Sequence, residues 1–301
     1  MPCLSFTVMV LPPSPTVDAV MLESRAASFA KRSIKNEAKR SAIDLAIRCI
    51  DLTTLEGRDS PGRIRSLCAK AAFPAPGAPR VAAVCVYPNL VAVAKDALRG
   101  TGVLVASVAT AFPSGLSSLD VRLRDTAAAL DAGADEIDMV IDRGAFLAGD
   151  EARVFEDIAA VKQLCGPIHL KAILETGELG SYDAIRRASD LALEAGADVI
   201  KTSTGKIGTS ATLPAALVMA EALRDFARRT GARRGLKVAG GVRTTKNAIA
   251  YLVLIDETLG APWLAPELFR IGASALLDDL LLQREKLTTG RYGSLDYVAK
   301  D

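Results

Sequence analysis

Three lysines stand inside apolar runs: Lys171 in Ile168-His169-Leu170-Lys171-Ala172-Ile173, Lys201 in Ala197-Asp198-Val199-Ile200-Lys201, and Lys237 in Leu236-Lys237-Val238-Ala239. Burying an ammonium without a partner disfavours its charged form. A lysine held that way is an amine nucleophile near neutral pH, able to attack a carbonyl and form a Schiff base. An isolated strand lysine ordinarily reaches solvent. Here, however, Lys201 and Lys237 share one pattern, since each run opens at once into a small polar loop, Thr202-Ser203-Thr204-Gly205-Lys206 and Gly240-Gly241-Val242-Arg243. Two such lysines on successive runs read as a site. Carboxylates accompany them. Asp51 lies in Ile50-Asp51-Leu52-Thr53, and Asp138 lies in Glu136-Ile137-Asp138-Met139-Val140-Ile141. The two-residue period of a strand puts Asp138 on one face with Glu136 and Val140. A carboxylate buried there needs a cationic partner, which lysines on neighbouring strands can supply.

The elements that must position these groups follow from periodicity. Strands of a parallel sheet are covered on both faces and read as nearly continuous apolar runs. From Cys49 onward the chain offers eight, at 48–53, 81–86, 103–108, 136–141, 168–175, 199–203, 236–239 and 268–271. Helical patterns separate them, among them 119–132, 151–164, 182–195, 214–229 and 245–259. Strands alternating with helices call for βαβ units. Two helices end in the same phrase, Ala132-Gly133-Ala134-Asp135 and Ala195-Gly196-Ala197-Asp198, whose glycines suit a left-handed helix end. Eight units predict an α/β fold, a closed (β/α)8 TIM barrel over 48–288. It is preceded by a loose N-terminus (1–17) and an N-terminal helical extension (18–47), and followed by a C-terminal tail (289–301).

Such a barrel builds its site from strand C-termini and the loops beyond them. Lys171 comes early in its strand and is expected to be a charge partner in a buried network; His169, lower still, is expected to be structural. Cys85 in Val84-Cys85-Val86-Tyr87-Pro88 reads as a small core hydrophobe close to a strand end. After the sixth, seventh and eighth strands come Gly205 and Lys206, Gly240 and Gly241, and Gly272 and Ser274, each ahead of a helix. Backbone amides at helix starts bind anions, so these loops predict a phosphorylated substrate.

Composition narrows the partners. With 50% hydrophobic and 24% charged residues a sizeable folded core is expected. The 37 basic and 35 acidic side chains leave a net charge of +2, so no nucleic acid or anionic membrane is implied. The apolar run at 4–11 has no preceding lysine or arginine and breaks at Pro12, Pro13 and Pro15, which makes a poor leader and is too short to span a bilayer. Five scattered cysteines without a C-x-x-C pair suggest neither a disulfide framework nor a zinc site, and a reducing cytoplasm fits. No ligand cluster predicts a metal, and no G-x-G-x-x-G follows the first strand.

As a set, Ile50-Asp51-Leu52-Thr53-Thr54-Leu55, Val84-Cys85-Val86-Tyr87-Pro88, Glu136-Ile137-Asp138, Leu170-Lys171-Ala172-Ile173-Leu174-Glu175-Thr176-Gly177, Ile200-Lys201-Thr202-Ser203-Thr204-Gly205-Lys206, Lys237-Val238-Ala239-Gly240-Gly241-Val242-Arg243-Thr244 and Phe269-Arg270-Ile271-Gly272-Ala273-Ser274 resemble the deoxyribose-phosphate aldolase family. The match runs from about residue 20 to 290, and the basic N-terminal helix looks like the longer animal forms. The resemblance implies a class I aldolase that reversibly cleaves 2-deoxy-D-ribose 5-phosphate to D-glyceraldehyde 3-phosphate and acetaldehyde. It implies Lys201 as the Schiff-base lysine, Lys237 as the cation that perturbs it, and Asp138 as the carboxylate of a proton relay with an ordered water. It further implies Lys171 in that network, Asp51 and Cys85 lining the pocket, and Thr202, Gly205, Lys206, Gly240, Gly241, Gly272 and Ser274 around the substrate. No cofactor is implied beyond the covalent lysine adduct. The implied partners are a small phosphorylated sugar and acetaldehyde, and a homo-oligomer is compatible. Val238 departs from the family's usual proline, and Tyr292 and Tyr297 compete for the family's tail tyrosine. Two rival readings are a phosphosugar isomerase using Asp51 and Asp138 as an acid–base pair, and a phosphosugar-binding sensor without turnover. Only the aldolase gives an irreversible adduct with acetaldehyde and borohydride.

Overall fold

The computed structural model describes residues 12–291; Cys3, Tyr292 and Tyr297 lie outside the described residues. Two helices come first, α1 (Ala19–Phe29) and α2 (Asn36–Arg48). The chain then alternates through β1 (Ile50–Thr53), α3 (Pro61–Ala72), β2 (Ala83–Val86), α4 (Val91–Ala97), β3 (Leu104–Ala109), α5 (Leu119–Asp131) and β4 (Glu136–Val140). It continues with α6 (Arg143–Leu147), α7 (Glu151–Cys165), β5 (His169–Ile173), α8 (Tyr182–Glu194), β6 (Val199–Lys201), α9 (Leu213–Thr230), β7 (Gly235–Ala239), α10 (Thr245–Leu259), β8 (Phe269–Ala273) and α11 (Leu276–Thr289). All eight strands pair in parallel in sequence order, and β8 returns to β1 through Ile50 opposite Ile271, closing a TIM barrel.

Each expected strand is present, with ends that shift for identifiable reasons. Arg48 completes the last turn of α2 instead of opening β1. β5 stops at Ile173 because Glu175 turns left-handed, with φ 56° and ψ 57°. The expected helical stretch before the barrel divides in two across residues 31–35, whose Lys31, Arg32 and Lys35 are exposed. α1 buries Leu22, Ala26 and Phe29, spaced four and three apart as one helical face requires, against α9 and α10.

The repeated Ala-Gly-Ala-Asp phrase has a clear local purpose. Gly133 and Gly196 take positive φ of 95° and 98°, ending α5 and α8. The aspartate that follows then fastens the bottom of the next strand to its neighbour. Asp135 accepts from the Val105 N–H (2.8 Å) and from Lys95 Nζ (2.7 Å). Asp198 accepts from the Leu170 N–H (3.0 Å) and from Lys162 Nζ (2.6 Å). These bonds set the register of β3 with β4 and of β5 with β6, and register decides which side chains enter the barrel.

Candidate active site

Because strand residues alternate between the inside and outside of a barrel, register alone brings the charged side chains together. Asp138 pairs with Lys171 across β4 and β5, Lys201 with Lys237 across β6 and β7, and Lys237 with Arg270 across β7 and β8. Asp51, on β1, lies beside Gly272 of β8. That glycine gives room: a Cβ at 272 would come within 3.1 Å of Lys237 Cε.

The result is a connected set of ion pairs. Asp138 Oδ2 accepts from Lys201 Nζ (2.8 Å) and Lys237 Nζ (2.7 Å), while its Oδ1 accepts from Lys171 Nζ (2.8 Å). Lys237 Nζ also donates to Asp51 (2.5 Å), and Lys171 Nζ to Glu136 (2.6 Å). Below them the Arg270 guanidinium donates to Asp51 (2.6 Å) and, through both terminal nitrogens, to Glu136 (2.7 and 3.2 Å). Every member is buried, none more than 5% exposed.

The three lysines do not share one fate. Burial opposes the charged form of each. Around Lys171 the carboxylates of Asp138, Glu136 and Asp51 outweigh burial and hold its amine above the ordinary range. Lys237 is likewise held well above it by Asp138 and Asp51. Lys201 goes the other way. Its burial dominates, its one bonded carboxylate is shared with the other two lysines, and the charge on Lys237 pushes in the same direction as burial. Asp138 loses ionisation energy to burial, yet the three ammonium groups hold it well below the usual carboxylate range. Asp51 is held low in the same manner by Lys237, Arg270 and Lys171.

Above Lys201 the barrel opens into a cavity of about 350 Å³. Its wall takes Thr204, Gly205 and Lys206 from the loop after β6, Gly240, Gly241 and Arg243 from the loop after β7, and Gly272, Ser274 and Ala275 from the end of β8. Arg58 and Arg63 add cations from the side of β1. Lys201 is the member of the ion-pair set on this wall. A larger hollow of about 630 Å³ lies outside the barrel, between residues 29–34 and the start of α10, and holds none of the strand-borne charges.

The loops above the lysine are fixed from behind. Glu175, in its left-handed conformation, accepts from the Thr204 N–H (3.1 Å) and from the Thr204 hydroxyl (2.5 Å). Such a backbone is uncommon for a side chain with a Cβ, and these bonds hold it there. Thr202 donates its hydroxyl to the Ala239 carbonyl (3.3 Å) and accepts from the Ala239 N–H (3.0 Å), joining β6 to β7.

The structure thus gathers Lys201, Gly205, Lys206, Gly240, Gly241, Gly272 and Ser274 around the cavity and puts Asp138, Lys237, Lys171 and Asp51 beneath its floor. Cys85 is fully buried in an inward apolar cluster with Leu55, Ala106 and Val108, and burial pushes its thiol up. Neither Cys85 nor Thr202, Asp51 or Lys171 is on the cavity wall. His169 is exposed at the bottom of β5. Sequence reasoning missed Arg270, Arg58 and Arg63. Arg270 carries the signal that singled out the lysines, a cation inside an apolar strand, but it stands low in β8. Among the described residues no cluster of His, Cys, Asp and Glu could hold a metal, and no helix is long and apolar enough to cross a membrane.

Comparison with known proteins agrees with this geometry. A family model described as DeoC/LacD family aldolase matches residues 45–280. The mouse deoxyribose-phosphate aldolase is 45% identical over 278 residues, covering 88% of this chain and 87% of its own. Its human counterpart is 44% identical over the same shares. A crystal structure provisionally named as a deoxyribose-phosphate aldolase from Toxoplasma gondii superimposes with a TM-score of 0.74 at 28% identity, covering 82% of this chain and 98% of that one.

Proposed function

The chain belongs to the DeoC/LacD family of aldolases, and from that premise we propose that it reversibly cleaves 2-deoxy-D-ribose 5-phosphate into D-glyceraldehyde 3-phosphate and acetaldehyde through a Schiff base on Lys201. The observation that carries the reading is the position of Lys201. It is the one member of the ion-pair set on the wall of a cation-rimmed cavity, and its amine is the one held below the ordinary lysine range.

The steps follow from that amine. Neutral Lys201 Nζ adds to C1 of the open-chain sugar, and loss of water leaves an iminium. Removal of the C3 hydroxyl proton sends the C2–C3 electron pair into the iminium, which releases glyceraldehyde 3-phosphate and leaves an enamine. Protonation at C2 and hydrolysis free acetaldehyde and restore the amine. Asp138, bonded to Lys201, is the acid–base group of the relay and works through an ordered water. Lys237 stays charged and keeps the ammonium form of Lys201 unfavourable. Lys171 and Asp51 hold Asp138 and Lys237 from below, and Thr202 holds the loop. Gly205, Lys206, Gly240, Gly241, Gly272 and Ser274 receive the phosphate, which the cations at the rim also attract. Cys85, buried with Leu55, Ala106 and Val108, backs the apolar side of the barrel interior without reaching the cavity. No cofactor enters these steps. The buried free thiols of Cys49, Cys68, Cys85 and Cys165 suit a reducing cytoplasm, where such an enzyme would break down the sugar phosphates of deoxyribonucleosides.

Incubation with acetaldehyde and sodium borohydride, followed by peptide mass mapping, tests the proposal. The expected result is one irreversible adduct, on Lys201. An isomerase or a sensor gives none, and a label on Lys237 instead would reverse the roles of the two lysines.

A further inference from the structure

The buried set holds four cations, Lys171, Lys201, Lys237 and Arg270, against three carboxylates, Asp51, Glu136 and Asp138. Fully ionised it carries one surplus positive charge, although none of its members is more than 5% exposed. Such a charge is costly, and the set can shed it by releasing one proton. Arg270 cannot be the donor, since a guanidinium keeps its proton in proteins. Lys171 and Lys237 each bond two carboxylates, whereas Lys201 bonds one that it shares. The permanent cation lies at the closed end of the barrel, and the amine free to become neutral lies at the open end.

We propose that Arg270 and Glu136 are positioning residues that fix the charge count of the set, and that this count, together with the nearer charges, decides whether Lys201 carries a proton. The inference rests on the Schiff-base reading and deepens it. The titratable groups that face Lys201 come from every neighbouring strand that has one. They are Asp138 from β4, Lys237 from β7, Cys85 from β2 and, through Asp138 and Lys237, Lys171 from β5 and Asp51 from β1; β3 contributes no titratable side chain. Arg270 is not in contact with Lys201. It fixes Asp51 and Glu136, and its Nε donates to the Pro266 carbonyl, so its charge has one place to be.

Charge counting gives each variant a direction. Arg270→Gln leaves three lysines facing three carboxylates, so a protonated Lys201 completes neutrality. Glu136→Gln leaves four cations facing two carboxylates, so protonation of Lys201 becomes harder. The double variant restores a surplus of one, and Arg270→Lys leaves the count unchanged. The readout is the pH dependence of borohydride-trapped acetaldehyde adduct on Lys201, with the melting temperature measured alongside. A unit charge removed from a buried set shifts a neighbouring amine by about one pH unit. Arg270→Gln is therefore expected to move the acid limb up by about one unit and Glu136→Gln to move it down by a similar amount. The double variant should return close to wild type, and Arg270→Lys should hold the wild-type limb. A purely structural pair would lower the melting temperature and leave the limb in place, and that result, or shifts of one sign in both single variants, overturns the proposal. If Arg270→Gln does not fold, the downward shift of Glu136→Gln and its reversal in the double variant decide the matter. Absence of any Lys201 adduct in the wild-type protein would remove the Schiff-base reading and this inference with it, an outcome distinct from a fixed limb.

Discussion

In the proposed mechanism Lys237 bonds nothing in the substrate and acts through its charge alone. Only a neutral amine attacks a carbonyl, and an ordinary lysine with a pKa near 10.4 is almost wholly protonated at pH 7. Lys201 is pulled below that range by burial and by Lys237. On the proposed mechanism its active form is the one present above its own pKa, and turnover is expected to rise with pH through that value. A unit charge about 5 Å away, at an effective dielectric of about 20, is worth roughly 3 kcal/mol or about two pH units. Lys237→Leu removes this push, so the acid limb of kcat/KM should move upward by one to two units, to order of magnitude, with part of the activity recovered in alkaline buffer. A limb that stays in place while activity is lost at every pH would assign Lys237 a bonding role. The lysines and aspartates of this set were legible in the sequence because a charge within an apolar strand stands out. Arg270 stands out equally, but a search confined to strand C-termini passes over it, and the reach of its guanidinium to Asp51 and Glu136 depends on closure of β8 onto β1.

At the scale of elements, the eight strands and their order could be read from apolar runs and turn residues, because a buried parallel strand has few ways to look otherwise. Strand ends were less legible. The left-handed Glu175 that ends β5 is held by Thr204, a contact across 29 positions that no local pattern encodes. The loops it supports are packed closely where they cross. A Cβ on Gly240 would lie 2.4 Å from Ser210 Cβ and Oγ and 3.2 Å from Gly205 Cα, at a φ of 80° that side chains rarely adopt. Gly240→Ala must therefore separate the loops after β6 and β7, the two that form most of the proposed phosphate cradle. Its effect should fall on substrates that carry the phosphate. We expect kcat/KM for 2-deoxyribose 5-phosphate to drop by about 100-fold, with unphosphorylated 2-deoxyribose changed far less. Equal losses for both sugars would separate these loops from phosphate recognition and tie the glycine to Lys201 instead.

For the molecule as a whole, the ion-pair set joins β1, β4, β5, β6, β7 and β8 across the barrel interior, so its ionisation and the closure of the barrel are linked. The signs can be worked out from both ends of the pH scale. Asp51 and Asp138 are held below the usual carboxylate range, while an unfolded aspartate titrates near about 3.9. Their contribution to stability is fully present above the unfolded value and is lost as pH falls below it, because the unfolded chain then binds protons that the folded one does not. Two such groups give a slope of about 2.7 kcal/mol per pH unit. Lys171 and Lys237 are held above the lysine range, so their contribution is present below about 10.4 and declines as pH rises past it. Stability measured by urea unfolding should accordingly fall steeply below about pH 4 and again above about pH 10; between these limits Lys201, held below the lysine range, adds a rise with pH, and the buried thiols, held above theirs, add a decline past about pH 8.5. Asp51→Asn should reduce the acid slope to about half, because one of the two depressed carboxylates is gone. A wild-type stability unchanged between pH 5 and pH 3 would mean that these carboxylates are no more acidic in the barrel than in the unfolded chain, and the charge network would then have no grip on the fold.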